Sequence, residues 1–158
     1  MKYSGLILND MAAAPGVCVS FFVQGCPHKC KGCFNPETWN FNDGKEFTDD
    51  VLKQIIEGLT ANGINRSLCI LGGEPLCPEN IPLTHQVVST VKQQLPDTKI
   101  YIWTGYIYED LIAKNNEQLN EIFALINCII DGPFIIEERD VTLKMRGSRN
   151  QRIISLDN

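Results

Sequence analysis

The chain has 158 residues, with 14 basic and 19 acidic side chains, a formal net charge of −5, and 44% apolar, 21% charged and 8% aromatic residues. That length suits one domain, residues 1–158, with a real core, and the composition excludes a disordered, collagen-like or low-complexity chain. The acidic balance argues against general nucleic-acid binding, which needs clustered Lys and Arg, and seven cysteines, an odd number, cannot all pair as disulfides.

In chain order, the run from Met11 to His28 has 18 uncharged residues, but Pro15, Gly16, Ser20, Gln24 and Gly25 interrupt it. It reads neither as a membrane span nor as a signal peptide, and an amino terminus with Asp10 and a single Lys lacks a basic leader region. The expected location is the reducing cytoplasm, where cysteines serve as metal ligands or buried apolar residues. Val17 to Val23, β-branched and aromatic between Pro15-Gly16 and Gly25, predicts a strand. Thr48 to Ala61 predicts a helix with Thr48 as N-cap, Asp49 and Asp50 in the first turn, Val51, Leu52, Ile55, Ile56 and Leu59 on one face, and Gly63 as the stop. Ser67 to Leu71 reads as a strand, Pro82 to Leu95 as a helix with Val87, Val88, Val91 and Leu95 inward, and Lys99 to Thr104 as a strand. A helical region from Tyr108 to Ile126, with a break near Asn115-Asn116, precedes a strand at Cys128 to Ile130, and Arg152 to Leu156 is a candidate last strand.

Strand, helix and strand in repetition argue an α/β fold with a mostly parallel sheet and right-handed crossovers. A closed eight-unit TIM barrel needs about 250 residues, so the expectation is an incomplete, partial TIM-like barrel. The segments Gly25 to Phe34, Gly72 to Pro75, Thr104 to Tyr106 and Asp131 to Phe134 each follow a predicted strand. Active sites of parallel α/β proteins lie at the carboxyl ends of strands, so four loops are expected to converge on one mouth.

Cys26, Cys30 and Cys33 are separated by three and then two residues, so three thiolates from one loop can face a common centre. Structural zinc usually closes with four ligands in two pairs, and no second pair is present. Cys77 is the one further loop cysteine; Cys18, Cys69 and Cys128 lie in apolar strand runs and read as buried thiols. A 4Fe-4S cluster held by three thiolates leaves one iron open to a substrate, whereas simple electron carriers use four cysteines. His28 reads either as a surface group or as a fourth ligand, and Lys29 and Lys31 either as solvated side chains or as charges that raise the cluster potential. Lys144, Arg146, Arg149 and Arg152 form a local +4 that leaves −9 for the rest, readable as a solvated loop or as a dock for an anionic partner.

The cysteine spacing resembles the signature of the radical S-adenosylmethionine (SAM) superfamily. Within it, the chain resembles the small activating proteins of anaerobic (class III) ribonucleotide reductases. The likeness runs through Cys33-Phe34-Asn35, Thr38-Trp39, Gly72-Gly73-Glu74-Pro75-Leu76, Trp103-Thr104-Gly105-Tyr106, Asp131-Gly132-Pro133-Phe134, Arg146-Gly147-Ser148 and Asn150-Gln151, which together span nearly the whole chain. The Gly-Gly-Glu-Pro block alone is a weak turn signal, but 39 residues after Cys33 and at the end of the next strand it becomes a candidate SAM site. Two departures stand out. Gly32 occupies the place before the third cysteine where much of the superfamily has an aromatic residue near the adenine, leaving Phe34 as the aromatic candidate, and Ala14-Pro15-Gly16 replaces Gly-Pro-Gly.

The resemblance implies a 4Fe-4S cluster on Cys26, Cys30 and Cys33, with SAM held near Gly32, Cys33, Phe34, Gly72, Gly73 and Glu74. Gly72 and Gly73 would let backbone carbonyls approach the SAM ammonium, and Glu74 would add a complementary charge. Reductive cleavage of SAM would give a 5′-deoxyadenosyl radical that abstracts a hydrogen from a glycine of the large glycyl-radical reductase subunit. A reduced flavodoxin is the electron donor that the resemblance implies. No general base is needed for hydrogen-atom transfer, so neither His28 nor His85 is assigned a catalytic role, and Trp39 and Trp103 read as core or rim aromatics. Arg146 and Arg149 are expected to dock the reductase or neutralise a carboxylate near SAM. The competing readings are a small radical SAM enzyme acting on a free small molecule, such as a deazapurine synthase, and a non-catalytic iron–sulfur or zinc module.

Overall fold

In a computed structural model of the chain, which describes residues 1–156, a single mixed sheet carries four helices. The strands are β1 (Lys2–Asp10), β2 (Cys18–Val23), β3 (Lys45–Glu46), β4 (Ser67–Gly72), β5 (Ile100–Trp103), β6 (Cys128–Asp131) and β7 (Arg152–Ser155), and the helices are α1 (Asp49–Leu59), α2 (Ile81–Gln94), α3 (Tyr108–Ala113) and α4 (Glu117–Leu125). The sheet order is β3-β1-β2-β4-β5-β6-β7. β2, β4, β5 and β6 run parallel, and β1, β3 and β7 add antiparallel edges. The α/β expectation with a mostly parallel sheet therefore holds.

The order β2-β4-β5-β6 never reverses, and right-handed crossovers then place every connecting helix on the same face. The burial pattern agrees. Val19, Phe21, Leu68, Ile70, Ile100, Ile102 and Ile129 join Ile55 and Leu59 of α1, Val87, Val88 and Val91 of α2, and Leu119 and Ile122 of α4 in one apolar core. The alternate strand positions point the other way: Cys18 and Cys69 are buried there with Ala14, and Leu71, Tyr101, Trp103 and Met145 pack against them. One sheet face is thus covered by helices, and the opposite face is left to line a cavity.

Local chemistry accounts for the element ends. Thr48 stands in extended conformation ahead of α1, with Asp49 and Asp50 in the first turn as expected, although its side chain makes no capping bond. The long helical region breaks where predicted: Asn115 has φ of +47°, and Asn116 caps α4 by accepting from the Leu119 amide at 3.0 Å. At the far end of α1, the Arg66 guanidinium is buried and its Nη1 donates to the carbonyls of Gly58, Ala61 and Ile64 at 3.1, 2.8 and 3.2 Å, tying the end of the helix to the turn that follows it.

Candidate active site

Because β2, β4, β5 and β6 are parallel, their carboxyl ends share one edge of the sheet, and the loop after each opens there. These loops wall a cavity of about 480 Å³, within the range of small-molecule sites. Cys26, Cys30, Cys33 and Phe34 come from the loop after β2, Gly72 from the last position of β4 with Gly73 and Glu74 from the loop after it, Thr104 and Gly105 from that after β5, and Gly132 and Phe134 from that after β6. The carboxyl-terminal segment adds Arg146, Gly147 and Gln151, and Leu71 and Trp103 form the apolar floor.

The cysteine loop is tied down on both sides of its first cysteine. The Gly25 amide donates to the Thr38 carbonyl at 2.6 Å and the Cys26 amide to that of Trp39 at 3.1 Å. The turn closes with Cys33 N–H donating to the Cys30 carbonyl at 3.1 Å, and the Asn35 amide donates to Cys33 Sγ at 3.4 Å. All three thiols are free and half-buried, and burial pushes that of Cys26 above its ordinary value. Among the described residues no three His, Cys, Asp or Glu side chains already stand together as a metal-ligand set. The loop therefore brings the three thiols to one cavity without locking them around a point.

Glu74 is 1% exposed and is the most heavily bonded side chain of the site. Its Oε1 accepts from the Leu76 amide at 2.9 Å and the Thr104 hydroxyl at 2.7 Å, and its Oε2 accepts from the Gly105 amide at 2.7 Å and pairs with His28 Nε2 at 2.8 Å. Beneath it, Asn80 Nδ2 donates to the carbonyls of Gln24, Gly25 and Glu74 at 3.1, 3.3 and 3.0 Å, so the residue that opens α2 also stitches the loops after β2 and β4 together.

The rim opposite is aromatic and basic. Phe34 is exposed, its ring lies 5.2 Å from that of Phe134, and the Arg139 guanidinium sits 5.3 Å above it. Gly147 faces both rings. Arg146 reaches the cavity wall with Nη1 donating to the Gln151 carbonyl at 2.6 Å, and Gln151 Oε1 accepts from the amides of Gly147 and Ser148. The Nε of Arg146 and the indole N–H of Trp39 are both buried without a partner, and both side chains line the cavity.

Of the residues singled out from the sequence, Cys26, Cys30, Cys33, Phe34, Gly72, Gly73 and Glu74 meet at this cavity. Gly32 does not line it; it adopts φ of +77° with its α-carbon turned toward Ile136, and so acts through the turn. His28 is not a free surface group but a partner of Glu74. Cys77 is not in an open loop: it is fully buried, its Sγ donates to the Glu74 carbonyl at 3.2 Å, and burial pushes its thiol up to about 12. Cys18, Cys69 and Cys128 are buried thiols as expected. The basic segment divides, since Lys144 and Arg149 are exposed, Arg146 lines the cavity, and Arg152 is bound to Asp131 and Glu109. Asn80 and Gln151 escaped the sequence reading as site residues. Gln151 lies in a quoted motif, and nothing in the order of residues distinguishes Asn80 from an ordinary helix cap.

A family model described as a 4Fe-4S single cluster domain matches residues 12–154. Curated proteins named anaerobic ribonucleoside-triphosphate reductase-activating protein are similar over almost the full length of both chains. That of Enterobacteria phage T4 is 39% identical over 156 residues, 98% of this chain and 94% of its own. Those of Salmonella typhi and of Escherichia coli strain K12 are each 36% identical over 152 residues, 96% of either chain.

Proposed function

The chain belongs to the family of anaerobic ribonucleoside-triphosphate reductase-activating proteins, and from that premise we infer that it activates such a reductase by means of a 4Fe-4S cluster and SAM. The donor set fits the cluster: three free thiols share one cavity wall, one of them already accepts a backbone amide, and no fourth cysteine reaches the cavity. Cys26, Cys30 and Cys33 would hold three irons and leave the fourth without a protein ligand. When bound, the cluster would supply the electron for reductive cleavage of SAM, with methionine released, and the resulting hydrogen-atom abstraction would fall on a glycine of the large reductase subunit.

The chain's own residues bind, orient and shield. Gly72 and Gly73 offer backbone carbonyls to the ammonium of SAM, and Glu74 contributes a complementary charge behind them. Gly32 shapes the turn between Cys30 and Cys33, and Phe34 with Phe134 forms an aromatic wall suited to the adenine. Arg146 carries an unpaired Nε at the same wall and suits a carboxylate. Leu71 and Trp103 exclude water from the floor, which matters because a carbon radical is quenched by stray hydrogen donors.

We read the sheet as one wall of an incomplete TIM-like barrel, supported by a strand order without reversal and by helices on one face. An open side suits a substrate that is itself a protein loop. Among the described residues no helix is long and apolar enough to cross a membrane. Seven free cysteines suit the reducing cytoplasm, and a low-potential donor of the flavodoxin type would supply the electron.

The observation that carries this reading is the meeting of the three-cysteine loop and the Gly72–Glu74 turn at one cavity, in a chain whose relatives match it end to end. Anaerobic reconstitution with iron and sulfide, followed by SAM and a reductant, tests it. The expected result is 5′-deoxyadenosine, and with the reductase present a glycyl-radical doublet in electron paramagnetic resonance (EPR). Metal binding without SAM cleavage would instead indicate a non-catalytic iron–sulfur or zinc module.

A further inference from the structure

The Trp-Thr-Gly-Tyr block and His28 are brought together by a set of contacts that the function above does not use. His28 is held on three sides. Its Nε2 pairs with Glu74 Oε2 at 2.8 Å, its ring meets the Tyr106 ring edge-on at 4.5 Å between centroids, and it packs against Gly105, where an added Cβ would stand 2.6 Å from His28 Cδ2. Position 105 must therefore be glycine for the imidazole to reach the carboxylate. Thr104 on one side of that glycine donates its hydroxyl to Glu74 Oε1, and the Gly105 amide donates to Oε2. One buried carboxylate thus binds the loops after β2, β4 and β5 through four donors, which uses the acceptor capacity of both its oxygens.

We propose that His28, Glu74 and Thr104-Gly105 form a clasp that fixes the cysteine loop against the Gly72–Glu74 turn, with His28 as a positioning residue for activation. Its importance for activation rests on the function proposed above; the clasp itself does not. His28 is the only side chain between Cys26 and Cys30 that reaches across to the β4 loop. The start of the cysteine loop is held to the β4 turn through the Gly25 carbonyl and Asn80, and His28 extends that tie to the stretch between Cys26 and Cys30. A 2.8 Å hydrogen bond to a carboxyl group that is 1% exposed is shielded from water and costly to leave unmade. Glu74, in turn, acts by holding three loops and not as a ligand with a vacant oxygen.

Hydrogen exchange in the metal-free protein, followed by SAM titration of the reconstituted protein, tests the clasp. E74Q is expected to speed exchange of the Gly105 and Leu76 amides about tenfold or more. H28A is expected to keep the iron content, speed exchange across residues 26–33, and weaken SAM binding, read from the SAM-induced change in the EPR signal of the reduced cluster, by about tenfold. H28Q, which returns a donor nitrogen to the Nε2 position, should restore both readouts; a group that only fills space would not be rescued by that amide in preference to alanine. H28A and H28Q behaving alike, or unprotected Gly105 in the wild type, would overturn the proposal, and if E74Q fails to fold the two His28 variants still decide it. A wild type with no SAM-induced change counts against the function, while exchange in the metal-free protein still decides the clasp.

Discussion

Gly73 stands so close to Gly25 that a Cβ built on it would lie 2.4 Å from the Gly25 carbonyl oxygen. That same oxygen accepts from the Glu74 amide at 2.8 Å and from Asn80 Nδ2 at 3.3 Å. The turn after β4 and the start of the cysteine loop are therefore in backbone contact, and the second glycine of the turn is demanded by that contact before any ligand is considered.

Gly73→Ala is accordingly expected to push the two loops apart, because a backbone carbonyl cannot swing aside as a side-chain tip can. A loss of about 1–3 kcal/mol in urea unfolding is expected, together with reduced iron uptake on reconstitution. Gly5→Ala is the control: a Cβ there meets nothing within 4 Å, so its change should stay within about 0.5 kcal/mol.

The pair of Asp131 and Arg152 governs the acid limb of stability. Burial pushes the Asp131 carboxyl up, but two bonds from Arg152, at 2.9 and 2.5 Å, and the Tyr108 amide at 2.8 Å outweigh it and leave the carboxyl below its usual value. A depressed native value contributes stability that is present above the unfolded value near pH 4 and is lost as pH falls through the native value. Arg152→Gln leaves burial opposed by backbone amides alone, so the thermal midpoint should fall near pH 7 while the Asp131 part of its acid-side decline shrinks, because a carboxyl no longer held low loses no stability on protonation; melts between about pH 3 and 7 check this.

Arg66 lies at the opposite end of β4 from the cavity, just before Ser67. Its replacement by Met removes the buried donor shared by three carbonyls and the one that reaches Asn9 Oδ1 from Arg66 Nε at 3.0 Å. The expected cost is roughly 2–3 kcal/mol in denaturant unfolding. Iron content after reconstitution should stay at the wild-type level, separating stability from the site.

The parallel strands were legible because each is a short buried apolar run that stops at a glycine or polar turn, and the loops after them carry the chemistry. β1 was not: its register with β2 shifts between Tyr3 and Gly5 and again between Ile7 and Asp10, and Ile7 and Leu8 are exposed, so no clean alternation marks it. The cysteine triplet announced itself by spacing. The Glu74 clasp and the Asn80 stitch join residues up to 56 positions apart, and such pairings depend on strand order, which local periodicity does not encode. Cys77 read as a loop thiol for a related reason: the turn that carries it folds back onto the core, with Leu76 beside it fully buried.

The seven cysteines should divide sharply in reactivity. Cys26, Cys30 and Cys33 are half-buried at the cavity, whereas Cys18, Cys69, Cys77 and Cys128 are buried. Burial raises the thiols of Cys69, Cys77 and Cys128 above their usual range, Cys77 to about 12. Only the thiolate reacts, so iodoacetamide on the metal-free native protein near pH 8 should modify three residues by mass spectrometry, Cys26 last because burial raises it too. The four core thiols should react only after unfolding. The raised native values of Cys69, Cys77 and Cys128 also mean that these three contribute stability below the unfolded value near pH 8.5, which drains away as pH rises toward the native one, so the thermal midpoint should fall on the alkaline side. Cys77→Ser should moderate that fall yet leave three-thiol labelling and iron uptake intact. Cys30→Ser should abolish 4Fe-4S assembly. Iron uptake unchanged in Cys30→Ser would remove this loop from the cluster.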